Sequence, residues 1–196
     1  MTPRDATLVS VLPEATPWGR ALRNTLLALA GTAIIAISAK IQIPFWPVPM
    51  TMQTLAIVVI AMAFGARLGL VTLALYLLEG AVGLPVFAGT PEKGIGIPYM
   101  LGPTGGYLVG FVAAAWLAGW LAEKGWDRTF LKATAVNFLA TAVVFVFGLA
   151  WLIPMFGFAK SIAVGVTPFL VSSAFKIALG GALLPAAWSL VRRLRG

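Results

Sequence analysis

Long apolar runs with almost no charged residues are the sequence feature that most limits how this chain can fold. A transmembrane helix needs about 20 consecutive, mostly apolar residues. The runs predict six such helices, at 22–39, 52–65, 67–83, 104–122, 130–152 and 168–190. Because 60% of the 196 residues are hydrophobic and 10% are charged, too few polar side chains remain to cover a soluble globule. The sequence therefore predicts an all-α integral membrane protein, a compact six-helix transmembrane bundle.

The second and third runs are short, and the segment GARLG at 65–69 joins them tightly. We expect them to form a hairpin that does not reach the full depth of the bilayer. Four spanning helices are the alternative count, and that count also places both termini on one side. Residues 1–20 contain prolines and acidic residues and lack the apolar core of a signal peptide. We expect a single membrane-embedded domain over residues 1–196, with residues 1–20 as a cytoplasmic tail.

Basic residues are distributed unevenly between the predicted connections. Three of them, Lys40, Lys93 and Lys160, lie on one side of the bundle, and ten lie on the other. Because Lys and Arg are enriched in cytoplasmic connections, the ten predict that both termini are cytoplasmic. This topology accounts for the net charge of +8, so no nucleic-acid partner is expected. The ten are Arg4, Arg20, Arg23, Arg67, Lys124, Arg128, Lys132, Arg192, Arg193 and Arg195.

Residues 83–111 fit neither one continuous helix nor a solvated linker. They contain eight glycines and four prolines, yet only Glu92 and Lys93 carry charge. A second outward connection, 41–50, is also apolar and rich in proline, and it includes Phe45. Because ligand pockets are mostly apolar with a few placed polar groups, we interpret 41–50 and 84–103 as two outward-facing capping loops over a pocket. Ordinary loops that shield helix ends are the alternative.

Lys176, in the sixth predicted helix, is the most costly residue to place in a membrane. A lysine at the centre of a transmembrane helix costs about 2.5–3.5 kcal/mol on insertion scales, and such residues usually serve a function. No acidic residue lies in that helix to pair with it, so a ligand carboxylate would supply the counter-charge. Ser173 lies three residues earlier, on the same face of the helix. A lysine that extends to the outer interface is the alternative.

Other candidate ligand contacts lie at the outward ends of the predicted helices. Gln53 opens the second helix, where its amide could meet a polar ligand or cap the helix. Glu79 lies near the end of the third helix. It could be a counter-ion for Lys176, a ligand contact or a solvated end residue. Residues 102–107 lead into the fourth helix, whose unpaired N–H groups suit an anion or a carbonyl oxygen. The candidate site residues are Lys176, Ser173, Gln53, Tyr107, Gly105, Thr104, Phe87, Trp46, Trp151 and Glu79.

Several kinds of chemistry are not expected from this sequence. It contains no cysteine and no histidine, so we expect neither thiol chemistry nor a transition-metal site. No G-x-x-x-x-G-K-[ST] motif occurs, so we do not expect this chain to hydrolyse ATP through a P-loop, and no cofactor is expected. If the chain is part of an active importer, ATP is used by partner subunits. The small residues Ala28, Thr32 and Ala36 allow close helix packing. Their spacing fits either internal packing or a partner face, including a second copy of the chain.

Four motifs give the first half of the chain a specific resemblance. PVPMTMQTLA at 47–56, GARLG at 65–69, YLLEGAVGLPVFAG at 76–89 and LGPTGGYLVGF at 101–111 together resemble the BioY family, the biotin-binding S components of energy-coupling-factor (ECF) transporters. The resemblance implies six helices, cytoplasmic termini and an outward pocket for biotin beneath the capping loops. It also implies a transmembrane coupling subunit and ATPase subunits as partners. The chain is then expected to be a substrate-binding subunit in the cell membrane, and not an enzyme.

The resemblance is weaker in the last helix. The family usually carries a segment like PFLPGDLLK there, and PFLVSSAFK at 168–176 keeps Lys176 but has Ser173 in place of the acid. Two alternatives therefore stay open. One is an S component for another vitamin or a biotin relative. The other is an intramembrane hydrolase in which Ser173 and Lys176 form a Ser-Lys nucleophile pair.

Overall fold

The computed structural model describes residues 7–12, 16–43 and 46–195. Within these ranges the α-helices are α1 Pro17–Lys40, α2 Gln53–Phe64, α3 Ala66–Ala81, α4 Gly96–Met100, α5 Gly105–Glu123, α6 Phe130–Phe156, α7 Phe158–Gly165 and α8 Leu170–Arg195. Two short strands, β1 Gln42–Ile43 and β2 Met50–Thr51, pair antiparallel in the first capping loop (41–50), which the all-α expectation did not include. Arg4, predicted to be cytoplasmic, and Phe45, predicted in the first capping loop, lie outside the described residues.

The six predicted helices correspond to α1, α2, α3, α5, α6 and α8, so the six-helix bundle is confirmed. The first helix starts earlier than predicted because Thr16 Oγ1 accepts a hydrogen bond from Gly19 N (3.1 Å) and Pro17 occupies the first turn. The predicted connection 153–167 is largely helical, since α6 continues to Phe156 and α7 follows directly. The second capping loop (84–103) likewise contains the short helix α4.

Helices α2 and α3 form the predicted short hairpin. Their 12 and 16 residues span about 18 and 24 Å, less than the hydrocarbon core of about 30 Å. Gly65 makes the turn between them with φ +83°, a conformation that favours glycine. Among the described residues, four helical segments are long and apolar enough to cross a membrane by themselves: α1, α5, α6 and the segment that contains α7 and α8. The chain is a multi-pass membrane protein.

The two ends of the bundle differ. At one end, which we call the basic end, Glu123 Oε1 accepts from the N–H of Ala66 (2.9 Å), beside the turn at Gly65. Thr7 packs against the same turn, and Trp188 near the C-terminus donates to Asp127 in the α5–α6 connection. Both terminal regions therefore share this end, as predicted, and its cytoplasmic location stays a prediction. The opposite end, the capping end, carries both capping loops.

The small-residue face of α1 packs inside the bundle. Ala28 and Thr32 are buried, and Thr32 Oγ1 donates to Glu79 Oε1 on α3 over 3.0 Å. Gly31 faces Thr72 of α3, where an added Cβ would lie 2.6 Å from the Thr72 methyl group. Of the two interpretations of this face, the structure supports internal packing.

The carboxylate of Asp127 fixes α8 at the basic end. Asp127 and Trp188 are fully buried, and Asp127 accepts from the Trp188 indole N–H and from Arg128 Nε, the latter over 3.2 Å. Burial raises the pKa of Asp127, and the hydrogen bonds from Trp188 and Arg128 oppose this shift. Anchoring α8 here sets how far its first turns reach into the capping end.

We expect Asp127→Ala to destabilise the protein, because it leaves the buried Trp188 N–H without an acceptor. The loss is about 2 kcal/mol, or a melting temperature in detergent lower by about 5 °C. Asp127→Asn keeps an acceptor oxygen and should lose less. If Asp127→Ala had the same melting temperature as the wild type, this contact would not anchor α8.

Candidate functional site

A cavity lies at the capping end, between the capping loops and α2, α5, α6 and α8. The apolar and aromatic part of its wall is Val48, Pro49, Phe87, Ala88, Tyr99, Tyr107, Leu108, Phe111, Val144, Phe145 and Phe169. The polar part is Thr51, Gln53, Thr54, Thr104, Thr141, Ser173 and Lys176. The cavity volume is about 590 Å³, a value that includes the space at its open side. The cavity has the composition and size of a small-molecule site.

Lys176 places an ammonium group in this cavity. Its side chain is 7% exposed, and Nζ donates to the backbone carbonyl of Thr51 over 3.1 Å. None of the described lining residues is acidic. A buried charge that meets one neutral acceptor is poorly compensated for its lost hydration. The position therefore favours an anionic group on a ligand.

Ser173 lies on the cavity wall one turn from Lys176 and is also buried. No hydrogen bond joins Ser173 to Lys176 among the described contacts, and the Lys176 ammonium is directed to Thr51 instead. A Ser-Lys nucleophile pair requires such a hydrogen bond. The arrangement does not resemble an activated nucleophile.

Gln53 belongs to a hydrogen-bonded chain that runs from the cavity to the second capping loop. Its Nε2 donates to the Tyr76 hydroxyl (2.9 Å), which donates in turn to the carbonyl of Val86 (3.0 Å). Since Tyr76 has one proton and gives it to Val86, it must accept from the Gln53 amide, which fixes the orientation of that amide. Gln53 Oε1 then remains available to accept from a ligand N–H. The Gln53 side chain does not cap α2; the Thr51 hydroxyl oxygen accepts from the backbone N–H of Gln53 at the helix start instead (3.2 Å).

Phe87 brings the second capping loop onto the cavity. Its ring is 1% exposed and stacks on Tyr99 with the ring centroids 5.0 Å apart. It also packs edge-on against Tyr76 at 5.4 Å. The tip of the ring, at Cζ, lies against Gly80 of α3, where any Cβ would overlap the ring. The glycine thus provides the space that allows Phe87 to reach the cavity.

The start of α5 contributes side chains to the cavity. Thr104 and Tyr107 line it, and the Tyr107 hydroxyl donates to Gly165 O over 2.7 Å. The N–H of Gly105 is used by Gly102 O (3.0 Å), and Gly105 packs against Met100 O and Trp151. Gly105 is not among the described residues that line the cavity, and its approach to a ligand stays a prediction.

Three more predicted site residues lie away from the cavity. Trp46 is 63% exposed and packs edge-on against Phe156 at 5.8 Å. Trp151 Nε1 donates to Gly102 O over 3.0 Å, which supports the second capping loop from α6. Glu79 accepts from Thr32 between α1 and α3. None of the three is among the described residues that line the cavity, and their ligand contacts stay predictions.

Comparison with known proteins identifies the family. A family model described as the BioY family matches residues 8–193. The chain belongs to the BioY family. A Pyrococcus horikoshii protein described as "Probable biotin transporter BioY" is 34% identical over 159 residues, which cover 81% of this chain and 91% of that protein. The Thermotoga maritima "Biotin transporter BioY" is 37% identical over 150 residues, covering 76% and 86% of the two chains.

The fold of this BioY-family chain is also similar to a solved structure. That structure is described as the S-component for biotin from an ECF-type ABC transporter. The match has a TM-score of 0.75 at 22% sequence identity and covers 89% of this chain and 95% of the other. The shared architecture agrees with the six-helix bundle found here.

Some cavity residues of this BioY-family chain were not among the predicted site residues. Tyr99 of α4 and Phe169, which directly precedes α8, line the cavity. Thr141, Val144 and Phe145 line it from α6. The spacing of the last three, i, i+3 and i+4, marks one face of a helix. That signal is visible in the sequence, but similar spacings occur on the other faces of this apolar helix.

Gly80→Ala should displace Phe87, because the new methyl group would occupy the space of its ring. We expect faster hydrogen exchange of the backbone amides in residues 84–95 and a melting temperature lower by several degrees. Phe87→Leu makes room for the methyl group, so adding Gly80→Ala to that variant should have a much smaller further effect. Equal effects of Gly80→Ala in both backgrounds would contradict the assigned contact.

Proposed function

We propose that this chain is the substrate-capture subunit, or S component, of an ECF-type importer and that its ligand is biotin. The observation that carries the proposal is the buried ammonium of Lys176 in an aromatic cavity whose described lining contains no carboxylate. Such a cavity suits an apolar molecule that bears one carboxylate. The relatives described as biotin transporters support the choice of biotin.

The chemistry of biotin can be matched to the cavity group by group. Its carboxylate is assigned to Lys176, where it supplies the missing counter-charge. A ureido N–H is assigned to Gln53 Oε1, which the Tyr76 hydrogen bond leaves available. The fused rings are assigned to the aromatic wall around Phe87, which excludes water and strengthens the polar contacts. Tyr107, Thr104 and Ser173 complete the proposed contacts, with Ser173 offering a hydroxyl where the family usually has an acid.

The proposed partners are supported by the similar solved structure, which is described as the S-component of an ECF-type ABC transporter. This chain contains no P-loop sequence, so we assign ATP hydrolysis to separate ATPase subunits and their mechanical link to a transmembrane coupling subunit. The relatives are transporters, and we propose binding and translocation rather than catalysis. The missing Ser173–Lys176 hydrogen bond favours this choice over a hydrolase. Association with a second copy of the chain stays a prediction.

Replacing Lys176 by methionine tests the proposed carboxylate contact. We expect purified Lys176→Met to bind biotin at least thirtyfold more weakly than wild type, since truncating one partner of a buried charge pair costs about 2 kcal/mol or more. Lys132→Met, which removes a charge at the basic end, should bind as wild type does. Equilibrium binding of labelled biotin provides the measurement.

Competition between biotin and its neutral amide tests whether Lys176 recognises the charge of the carboxylate. Wild type should prefer the acid strongly, and Lys176→Met should lose most of that preference. Equal affinity of wild type and Lys176→Met for biotin would remove Lys176 from the site. If wild type bound another vitamin or a biotin relative more tightly than biotin, the importer proposal would stand with a different substrate.

Uptake of labelled biotin by cells lacking their own biotin importer tests the partners. We expect cells that express this chain together with its coupling and ATPase subunits to accumulate biotin. Expression with ATPase subunits whose P-loop lysine is replaced should abolish accumulation while the purified chain still binds biotin. Undiminished uptake with inactive ATPases would contradict an ECF-type mechanism.

A further inference from the structure

Lys40, the last residue of α1, holds the second capping loop by three hydrogen bonds. Its Nζ donates to Phe87 O (3.0 Å), Thr90 O (2.8 Å) and Thr90 Oγ1 (2.9 Å). The Thr90 hydroxyl donates in turn to Phe87 O over 2.6 Å. An ammonium group has three N–H donors, and here each has an acceptor in the loop. Its bonding capacity is thus committed to this segment.

The segment that Lys40 holds is the one that covers the cavity. Phe87 is part of the cavity wall, whereas Lys40 is not among the described lining residues. Lys40 therefore makes no direct contact with a ligand in the cavity, and its contacts can act on a ligand through the position of the loop. The neighbouring carbonyls of Val86 and Ala88 accept from the neutral hydroxyls of Tyr76 and Tyr99. Lys40 adds the charge-assisted contacts, which are roughly twice as strong as neutral ones.

Phe87 of the second capping loop is 1% exposed and forms part of the cavity wall, so a ligand of biotin's size cannot pass the loop while it stays in this position. Entry and exit then require that the loop moves away. We propose that Lys40 is a positioning residue whose ammonium latches the second capping loop closed and thereby sets the rates of ligand entry and exit. This inference rests on the proposed function for the identity of the ligand.

A latch has a different kinetic effect from a ligand contact. The Lys40 bonds hold the loop in the ligand-free protein, and they hold it equally over a bound ligand. Removing them increases opening in both states, so the association and dissociation rate constants rise together and Kd changes little. Removing a direct contact raises Kd instead. Removing a charge that merely attracts an anionic ligand lowers the association rate constant alone.

The test measures association and dissociation of labelled biotin on Lys40→Met and on the matched control Lys160→Met. Lys160 also lies at the capping end, but its described contacts are with Trp46 and Phe156 at 6.0 and 5.6 Å. We expect both rate constants of Lys40→Met to rise about tenfold, with Kd within about threefold of wild type. The dissociation rate constant of Lys160→Met should stay at the wild-type value. Unchanged rates in Lys40→Met, or a rise in dissociation alone, would overturn the latch.

A cross-link tests the latch in the opposite way, because it fixes the loop to α1 instead of releasing it. Its effect is compared within one protein, before and after bridging, so a change of charge at Lys40 cannot explain the result. The sequence has no cysteine, so Lys40→Cys with Thr90→Cys can be bridged selectively by a short bifunctional maleimide. Bridging should slow both biotin association and dissociation relative to the same protein before bridging. Exchange at the unbridged rates would mean that the loop need not open at this point.

Hydrogen exchange of residues 84–95 in ligand-free protein separates failure of the latch from failure of the proposed function. Lys40→Met should exchange these amides about tenfold faster than wild type and Lys160→Met. If wild type did not bind biotin, the proposed function would fail while this exchange still tested the latch. If wild type bound biotin and Lys40→Met matched it in exchange and in rates, the latch alone would be wrong.

Discussion

A loop that covers an apolar cavity needs hydrogen-bond donors for its buried backbone carbonyls. Several side chains at the capping end supply these donors. The glycines and prolines of the second capping loop prevent a continuous helix, so its carbonyl groups lack the partners that a helix would supply. Side chains from three elements replace them. Tyr76 of α3 donates to Val86, Lys40 of α1 donates to Phe87 and Thr90, and Tyr99 of α4 donates to Ala88.

The two lysines near the cavity carry the same charge but differ in their surroundings. Lys40 has three fixed acceptors, whereas Lys176 donates to one backbone carbonyl in the described contacts. The first arrangement satisfies the ammonium within the protein and makes Lys40 part of the loop structure. The second leaves bonding capacity for a partner from outside, in a place where a charge is costly to bury. This difference separates their proposed roles in positioning and in binding.

The short helices α2 and α3 determine where the capping loops lie. Both are fixed at the basic end, where Glu123 accepts from the start of α3 beside the turn at Gly65. Because they are shorter than the bilayer is thick, they leave space at the capping end. The first capping loop leads into α2 and the second leaves α3, so both loops begin or end in that space. Both capping loops are thus attached to the same hairpin.

The sequence alone predicted the six helices to within a few residues at most ends, the short hairpin and Lys176 as an exceptional residue. These features depend on transfer of side chains from water to a membrane, which is a property of each residue and its near neighbours in the chain. Tyr76 appeared in a quoted motif, but its bridge between Gln53 and Val86 joins residues far apart in sequence and was not predicted.

Only the tertiary structure decided which side chains face the cavity. Trp46 and Gly105 were candidate site residues but are not among the described lining residues, whereas Tyr99 lines the cavity and was not a candidate. In helices that are apolar on all sides, hydrophobicity does not distinguish the inner face from the face toward lipid. That choice follows from how the helices and loops pack against each other, which composition and spacing leave undetermined.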